Sequence, residues 1–291
     1  MNIDFHCHST FSDGSMSPDA LAAAMASAGL DVFALTDHDT VAGVPFAQAA
    51  ATALGIRCLA GVEISCRWSG QDIHMVGINV EPANQELLQG LTSQFHRRWD
   101  RAQKICARLQ KSGLPDIFPI ALDIASQTGD EAHSARSDLG PCPGRPHLAR
   151  ALVKIGAVKD ENQAFQKYLA ISKPAYVATE WPSLQEAAHW INAAGGIPVI
   201  AHPLHYKLTR TKLERLIKDF AEQGGKAVEV VSPNQDPLQR RMLAGFCEKY
   251  GLAGSIASDF HGMSVPWIKL GKLDPLPSGV ASILTLLPCL Q

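Results

Sequence analysis

Six short apolar runs, spread along the 291-residue chain, carry a histidine or a carboxylate at or just beyond their C-terminal end. They place His6 and His8 in the opening DFHCHSTFSDG, His38 after VFALT, Glu63 in LAGVEIS, His74 in IHMVG, His202 after IPVIA, and Asp259 and His261 in SIASDFH. Each run has the length of one buried strand, and a seventh, AVEVV at 227–231, ends without such a residue. Helical patterns lie between the runs; Ser17-Pro18 opens the first, with Ser as cap and Pro in the first turn. Strands separated by helices predict an α/β fold whose parallel sheet closes into a seven-stranded (β/α)7 barrel.

The rhythm breaks once. Residues 81–175 carry mainly helical patterns, at 84–112, 117–128, 146–155 and 161–169, with a Gly/Pro/Ser-rich connection at 129–144. This predicts an inserted helical subdomain at 81–175 that caps the barrel, with the barrel itself formed by 1–80 and 176–291.

On a strand, side chains alternate between faces, so His6 and His8 project the same way, while Cys7 points to the other face and is no ligand. Asp13 follows in a turn from which its carboxylate can fold back. Taken singly, any of these residues is as readily a histidine or acid satisfied by a hydrogen bond. Taken together, six of the eleven histidines fall at equivalent places on successive strands, where the loops of an α/β barrel collect their chemistry. A purely structural barrel has no use for so many costly polar groups at one end.

Histidines mixed with carboxylates favour Mn2+, Fe2+ or Zn2+, and the seven cysteines, odd in number and without a CxxC, provide no structural zinc set. They read instead as reduced thiols. Nine candidate ligands exceed what one ion can use, so two or three ions sharing a carboxylate are expected, with Glu63 as the bridge. Clustered divalent ions suit phosphate-ester hydrolysis: they make hydroxide from a bridging water, clamp phosphoryl oxygens and neutralise the leaving oxygen.

A net charge of -2 offers no general attraction for nucleic acid or anionic membrane, so an anion site must be local. Arg97, Arg101, Lys104 and Arg108, at i, i+4, i+7 and i+11, form a basic helical stripe that is either a solvated face or the wall of such a site. Arg136 and Arg145 stand in turn-rich sequence where a guanidinium fork can reach a phosphate. Asn234, past the strand without a ligand, is a turn residue or a substrate contact. His205 is a loop histidine or a leaving-group acid, and His96, His133, His147 and His189 read as structural. The uncharged segment 187–206 is broken by Gly and Pro and does not read as a membrane span, and Met1 to Phe5 shows no secretory pattern. A cytoplasmic protein with no membrane or obligate protein partner is expected.

The blocks DFHCHSTFSDG, LTDHDT, GVEIS, IHMVG, AHP and SDFH together resemble the polymerase and histidinol phosphatase (PHP) family of metal-dependent phosphoesterases, and GRPHLA resembles a block of its subgroup with this insertion. The resemblance implies a distorted barrel and three metals. His6, His8, Glu63 and Asp259 would hold the first; Asp13, His38 and His261 the second; Glu63, His74 and His202 the third. Asp13 stands where some members have histidine. No ligand position is lost, against the family's non-catalytic metal- or nucleotide-binding modules. The insertion looks most like nucleoside 3',5'-bisphosphate phosphatases, whose relatives also trim short 5'-phosphorylated RNA. The implied activity is hydrolysis of the 3'-phosphate by in-line attack of a metal-bridging hydroxide, with Asp13, His38, Glu63 and His202 as catalytic ligands and Mn2+ as the metal. Arg101, Lys104, Arg136, Arg145 and Asn234 would bind the substrate. Histidinol-phosphate phosphatase, whose substrate carries one phosphate and a cation, and an amidohydrolase-type activity are the rivals.

Overall fold

The computed structural model describes residues 1–126, 140–263 and 268–290. Seven strands form one sheet in chain order: β1 Ile3–Cys7, β2 Val32–Leu35, β3 Arg57–Trp68, β4 Gln71–Ile78, β5 Ile197–Ile200, β6 Ala227–Val231 and β7 Ala253–Ile256. The ring nearly closes just beyond β7, where the His8 N–H donates to the Phe260 carbonyl at 2.8 Å and Cys7 bridges Phe260. Apolar side chains of all seven strands, among them Phe5, Ala34, Leu59, Val76, Val199, Ala227 and Ala253, fill the interior, with Ile283 and Leu287 of the C-terminal turns packed against them. The polar cluster sits above this plug.

The sheet is not all parallel, and this corrects the expectation. β3 and β4 are antiparallel neighbours, as are β4 and β5. Ser69 and Gly70 join β3 to β4 with φ of 49° and 80°, the left-handed pair that a two-residue hairpin demands. Glu63 therefore lies in the middle of the long β3, and His74 in the first half of β4; neither stands at a C-terminal strand end. Reversal of β4 is what brings His74 to the same rim as the other candidate ligands. Register also slips by one residue between Asp4 and Cys7 on β1, and between Glu229 and Val231 on β6. Such irregularities re-aim side chains beside active sites.

Helices α1 Pro18–Ser27, α2 Val44–Ala53, α7 Leu184–Ala193, α8 Arg210–Glu222 and α9 Pro237–Tyr250 cover the sheet. The inserted region supplies α3 Gln85–Lys111, α4 Phe118–Ser126, α5 Arg145–Lys154 and α6 Glu161–Ala164, the last continuing as a π-helical turn through Leu169. Ile105, Leu109, Ala121, Leu148, Leu152 and Leu169 belong to a second apolar core, separate from the barrel's. α3 starts near the foot of the barrel, where the Asn84 side chain donates to the Ala193 carbonyl, and passes α7 at Gly90; a Cβ there would meet the Trp190 ring at 2.5 Å. Among the described residues no helix is long and apolar enough to cross a membrane.

Candidate active site at the barrel mouth

The nine candidate ligands converge. His6 Nε2 and His8 Nε2 face each other at 3.0 Å, which confirms their common direction, while the Cys7 thiol turns away to the Ala34 carbonyl. Both imidazoles lie 3.3 Å from Glu63 Oε2 and within 3.4 Å of Asp259 Oδ1. His38 Nδ1 is 2.8 Å from Glu63 Oε2, and His74 Nδ1 and His202 Nε2 are 2.8 and 3.0 Å from Oε1. Glu63 thus has one oxygen toward each half of the cluster. Asp13 joins from its turn, 3.7 Å from His38 and 3.3 Å from His261.

That turn is built by Asp37. Its carboxylate accepts from the Ser9 N–H and hydroxyl and from the Ser12 hydroxyl at 2.6–2.7 Å. Gly14 is required because a Cβ would stand 2.4 Å from the His8 carbonyl oxygen. On the other rim, Tyr206 donates to the Ala201 carbonyl and accepts the His74 N–H, locking β4 to the end of β5. Asp39, His202 and Asp259 hold φ of 52°, 29° and 54° without being glycine, a strain that collects at functional sites.

The charge pattern fits divalent ions. One buried oxygen each on Asp13 and Glu63, and the Nδ1 atoms of His38 and His202, make no well-aligned hydrogen bond despite the rings and acids close by. Burial alone would raise both acids, yet His38 with His261 holds Asp13, and His38 with His74 and His6 holds Glu63, well below the carboxylate range. Burial likewise opposes charge on His261, but Asp13 and Asp259 bring it up to about 10; His38, where burial wins, falls to about 4. Carboxylate oxygens and imidazole nitrogens converging on one point are the donor set that hard and borderline cations require. Ligand atoms of His8, Asp13, His38 and His261, of His6, His8 and Asp259, and of His38, Glu63 and His74 lie within 4.8 Å of one another in each group.

Facing the cluster across a cleft is the inserted region. Asp13, His38 and His74 line one wall; Arg98 and Arg101 of α3, Arg145 of α5, Phe165 and Trp181 line the other. Arg101 is buried, with Nε and Nη2 lacking hydrogen-bond partners, and its guanidinium lies over Trp181 at 5.6 Å. Burial and the like charges of Arg145 and Arg98 push it down to about 9; burial and Arg98 push Arg145 down too. Among the described residues neither arginine has a carboxylate within ion-pair distance. Arg98 does: its Nε donates to Asp39 Oδ2 at 2.5 Å and its Nη2 to the Ser65 hydroxyl at 2.8 Å.

The basic stripe read from the sequence is only partly realised. Arg101 reaches the cleft, but Arg97 turns to Ser93 and Gln94, Arg108 to the Tyr176 carbonyl, and Lys104 pairs with Asp100 in solvent. Lys104 is thus not a wall of the site, because the inward face of α3 runs through Gln94, Arg101, Ala102 and Ile105. Asn234 is an exposed turn residue with φ of 55° and does not line the cleft. Arg136 and His133 fall outside the described residues. His147, in GRPHLA, accepts the Gly144 N–H on Nδ1 at 2.9 Å and caps α5; His189 pairs with Glu86 at the surface. His205 stacks on His202 with ring centroids 5.0 Å apart. Sequence reasoning missed Arg98, Asp39 and Glu229. The apolar positions of α3 could have flagged Arg98, three residues before Arg101 on the buried face.

Comparison with known proteins agrees with this geometry. A model of the PHP domain matches residues 4–139. A Haemophilus influenzae protein named 5'-3' exoribonuclease is 41% identical over 269 residues, 92% of this chain and 93% of that one. The 3',5'-nucleoside bisphosphate phosphatase of Chromobacterium violaceum is 39% identical over 276 residues, 95% and 93% of the two chains. A solved structure described as an amidohydrolase from Chromobacterium violaceum with bound sulfate and no metal superposes with a TM-score of 0.87 at 37% identity, over 99% of this chain and 96% of that one. With such identity over nearly its whole length, the chain belongs to the PHP family of metal-dependent phosphoesterases and is a hydrolase of phosphate esters.

Proposed function

We propose that the protein removes the 3'-phosphate of nucleoside 3',5'-bisphosphates and leaves the 5'-monophosphate. The observation that carries this reading is the pair of arginines, Arg101 and Arg145, which line the cleft with the cluster. The Asp72 carboxylate lines it too and acts on both, but neither arginine has an ion-pair partner among the described residues, and Arg101 keeps Nε and Nη2 unsatisfied. A buried guanidinium left unpaired is costly, and an anion that enters with the substrate removes that cost. A substrate with one phosphate at the cluster needs a second to reach across, and a 3',5'-bisphosphate has both on one sugar. Histidinol phosphate would present a cation to these arginines instead.

His6, His8, Asp13, His38, Glu63, His74, His202, Asp259 and His261 would hold divalent ions, three of them, with Glu63 as the shared ligand and Mn2+ as the metal in the cytoplasm. Bound there, the ions would acidify a water and neutralise charge on the phosphoryl and leaving oxygens. The chain's own part is to orient the ester. Arg101 and Arg145 draw the distal phosphate to the cap wall, Phe165 and Trp181 exclude water beside them, and the rim of Asp13, His38 and His74 faces the phosphorus to be attacked.

Trimming of short 5'-phosphorylated RNA is the second reading, supported by the relative named 5'-3' exoribonuclease. The same cleft serves both: a 5'-phosphate on the arginines puts the adjacent 3' ester at the cluster, whether that ester is terminal or bridges to a second nucleotide. Phosphate or nucleotide release with Mn2+ from adenosine 3',5'-bisphosphate, histidinol phosphate and a 5'-phosphorylated oligonucleotide decides among them. Highest kcat/KM on the bisphosphate, with 5'-AMP as product, is expected; preference for histidinol phosphate would overturn the assignment, and preference for the oligonucleotide would replace it by the second reading.

A further inference from the structure

β6 is the strand whose end carries no ligand, yet Glu229 in its middle is buried and points at two members of the cluster. Its Oε1 lies 2.7 Å from His6 Nδ1, and its Oε2 accepts the backbone N–H of His202 at 2.6 Å. The one-residue slips on β1 and β6 fall beside His6 and Glu229, the places where the two strands must depart from regular pleating for these side chains to meet.

Taking the cluster as the metal site proposed above, we infer that Glu229 is a positioning residue that sets two metal-binding imidazoles at once, His6 through its ring and His202 through its backbone. A carboxylate can only accept, so His6 must carry hydrogen on Nδ1. The neutral ring then has its lone pair on Nε2, the atom that faces His8, Glu63 and Asp259. An outer carboxylate holding a histidine this way fixes its tautomer and angle and raises its basicity as a ligand.

The second contact does a different job. His202 adopts φ 29° and ψ 57°, outside the regions favoured by a residue with a side chain, and it precedes Pro203, which disfavours helical-type conformations at that position further. Its N–H has no strand partner there; Glu229 Oε2 receives it and keeps the backbone turned so that Nε2 reaches Glu63 at 3.0 Å. Asp37 offers a contrast: it shapes the Asp13 turn through serines and touches no cluster ring. Glu229, itself outside the nine candidate ligands, thus links two sides of the cluster, the His6/His8 pair and the His202/His74 pair.

Glu229→Gln tests this with almost no change in shape. An amide has one acceptor and one donor, so it cannot accept from both partners. Turned toward His202, it presents N–H to His6 and forces hydrogen onto Nε2; turned the other way, it opposes the His202 N–H. The inference predicts that the full-length variant, with unchanged circular dichroism, binds Mn2+ 10–100-fold more weakly by calorimetry. Half-saturating Mn2+ for turnover should rise equally, kcat should recover at saturating Mn2+, and KM for the phosphate substrate should hold. A folded variant with wild-type Mn2+ affinity overturns the inference. Wild-type protein that binds no Mn2+ would instead overturn the metal reading beneath it, a separate result. Should the variant fail to fold, the Zn2+-loaded wild type still decides by NMR: a slowly exchanging His6 Nδ1–H proton is expected, and an Nε2–H tautomer refutes the assignment.

Discussion

The two walls of the cleft solve opposite electrostatic problems. At the barrel mouth, acids and imidazoles are intermingled, each carboxylate within 4 Å of two or more rings, and the unsatisfied atoms are one oxygen each on Asp13 and Glu63 and the Nδ1 atoms of His38 and His202. On the cap wall the unsatisfied atoms are donors, those of Arg101; Asp72 lines the same cleft but forms no ion pair with Arg101 or Arg145 among the described residues. One wall is rich in groups that attract cations and the other in groups that attract an anion. A phosphate ester together with divalent ions would complement both walls.

The comparison can be broken from either side. The largest effect is expected at the mouth. Chelation, or Glu63→Gln, should lower turnover by about a thousandfold or more while circular dichroism is retained, since several kcal/mol of transition-state stabilisation depend on the cations held there. Activity that survives exhaustive chelation would end that side of the contrast.

Arg101→Met should raise KM for a bisphosphate by about 10–100-fold, the value of one or two hydrogen bonds to a charged group, and barely alter an aryl monophosphate. The same substitution should raise the melting temperature of the ligand-free protein, because it removes a buried charge without a partner. Equal loss on both substrates would show that Arg101 is no site for a second phosphate. A fall in melting temperature would show that the cap wall is satisfied after all.

Asp39→Asn should cost about 2–3 kcal/mol in denaturant unfolding, because it leaves the largely buried Arg98 without its anion and weakens the hold of Gln94 and Arg98 of α3 on the barrel. KM should follow by several-fold through misplaced Arg101, and an unchanged unfolding midpoint would refute the clamp. Lys104→Ala is the smallest case. Its partner Asp100 is 59% exposed and the lysine 61%, so a loss of about 0.3–0.5 kcal/mol and kinetics within twofold are expected. A large rise in KM would place the lysine in the cleft after all.

Much of the mouth was legible because strand periodicity reads directly as side-chain direction: His6 and His8 converge as alternation requires, and each of the nine candidate ligands stands on the cluster. Two features escaped. The hairpin at Ser69-Gly70 hides in the sequence because two apolar strands separated by a pair of small residues look like any strand followed by a loop, and only the left-handed φ pair reveals the reversal. The basic stripe is only partly turned inward because burial and not charge sets the face: Ala102, Ile105 and Leu109 define the inner face of α3, and of the four basic residues of the stripe only Arg101 shares it. Glu229 escaped for a third reason. A lone acid inside a run of valines gives no hint of the two partners it meets, which lie 223 and 27 residues away.

The reversal of β4 also governs how the cap is attached. Because β4 descends, the chain leaves the sheet at the foot of the barrel, and the 27-residue α3 must climb back past the mouth, about 40 Å at 1.5 Å per residue. Arg98 and Arg101 therefore ride on a rigid mast stepped at Asn84, steadied against α7 at Gly90 and guyed to Asp39. A mast transmits errors along its length: one residue deleted below Gln94 would turn everything above it by about 100° and drop it by 1.5 Å. Substitutions on the outer surface of such a helix leave Arg101 in place, whereas changing the number of residues between its foot and Arg101 would swing the guanidinium out of the cleft.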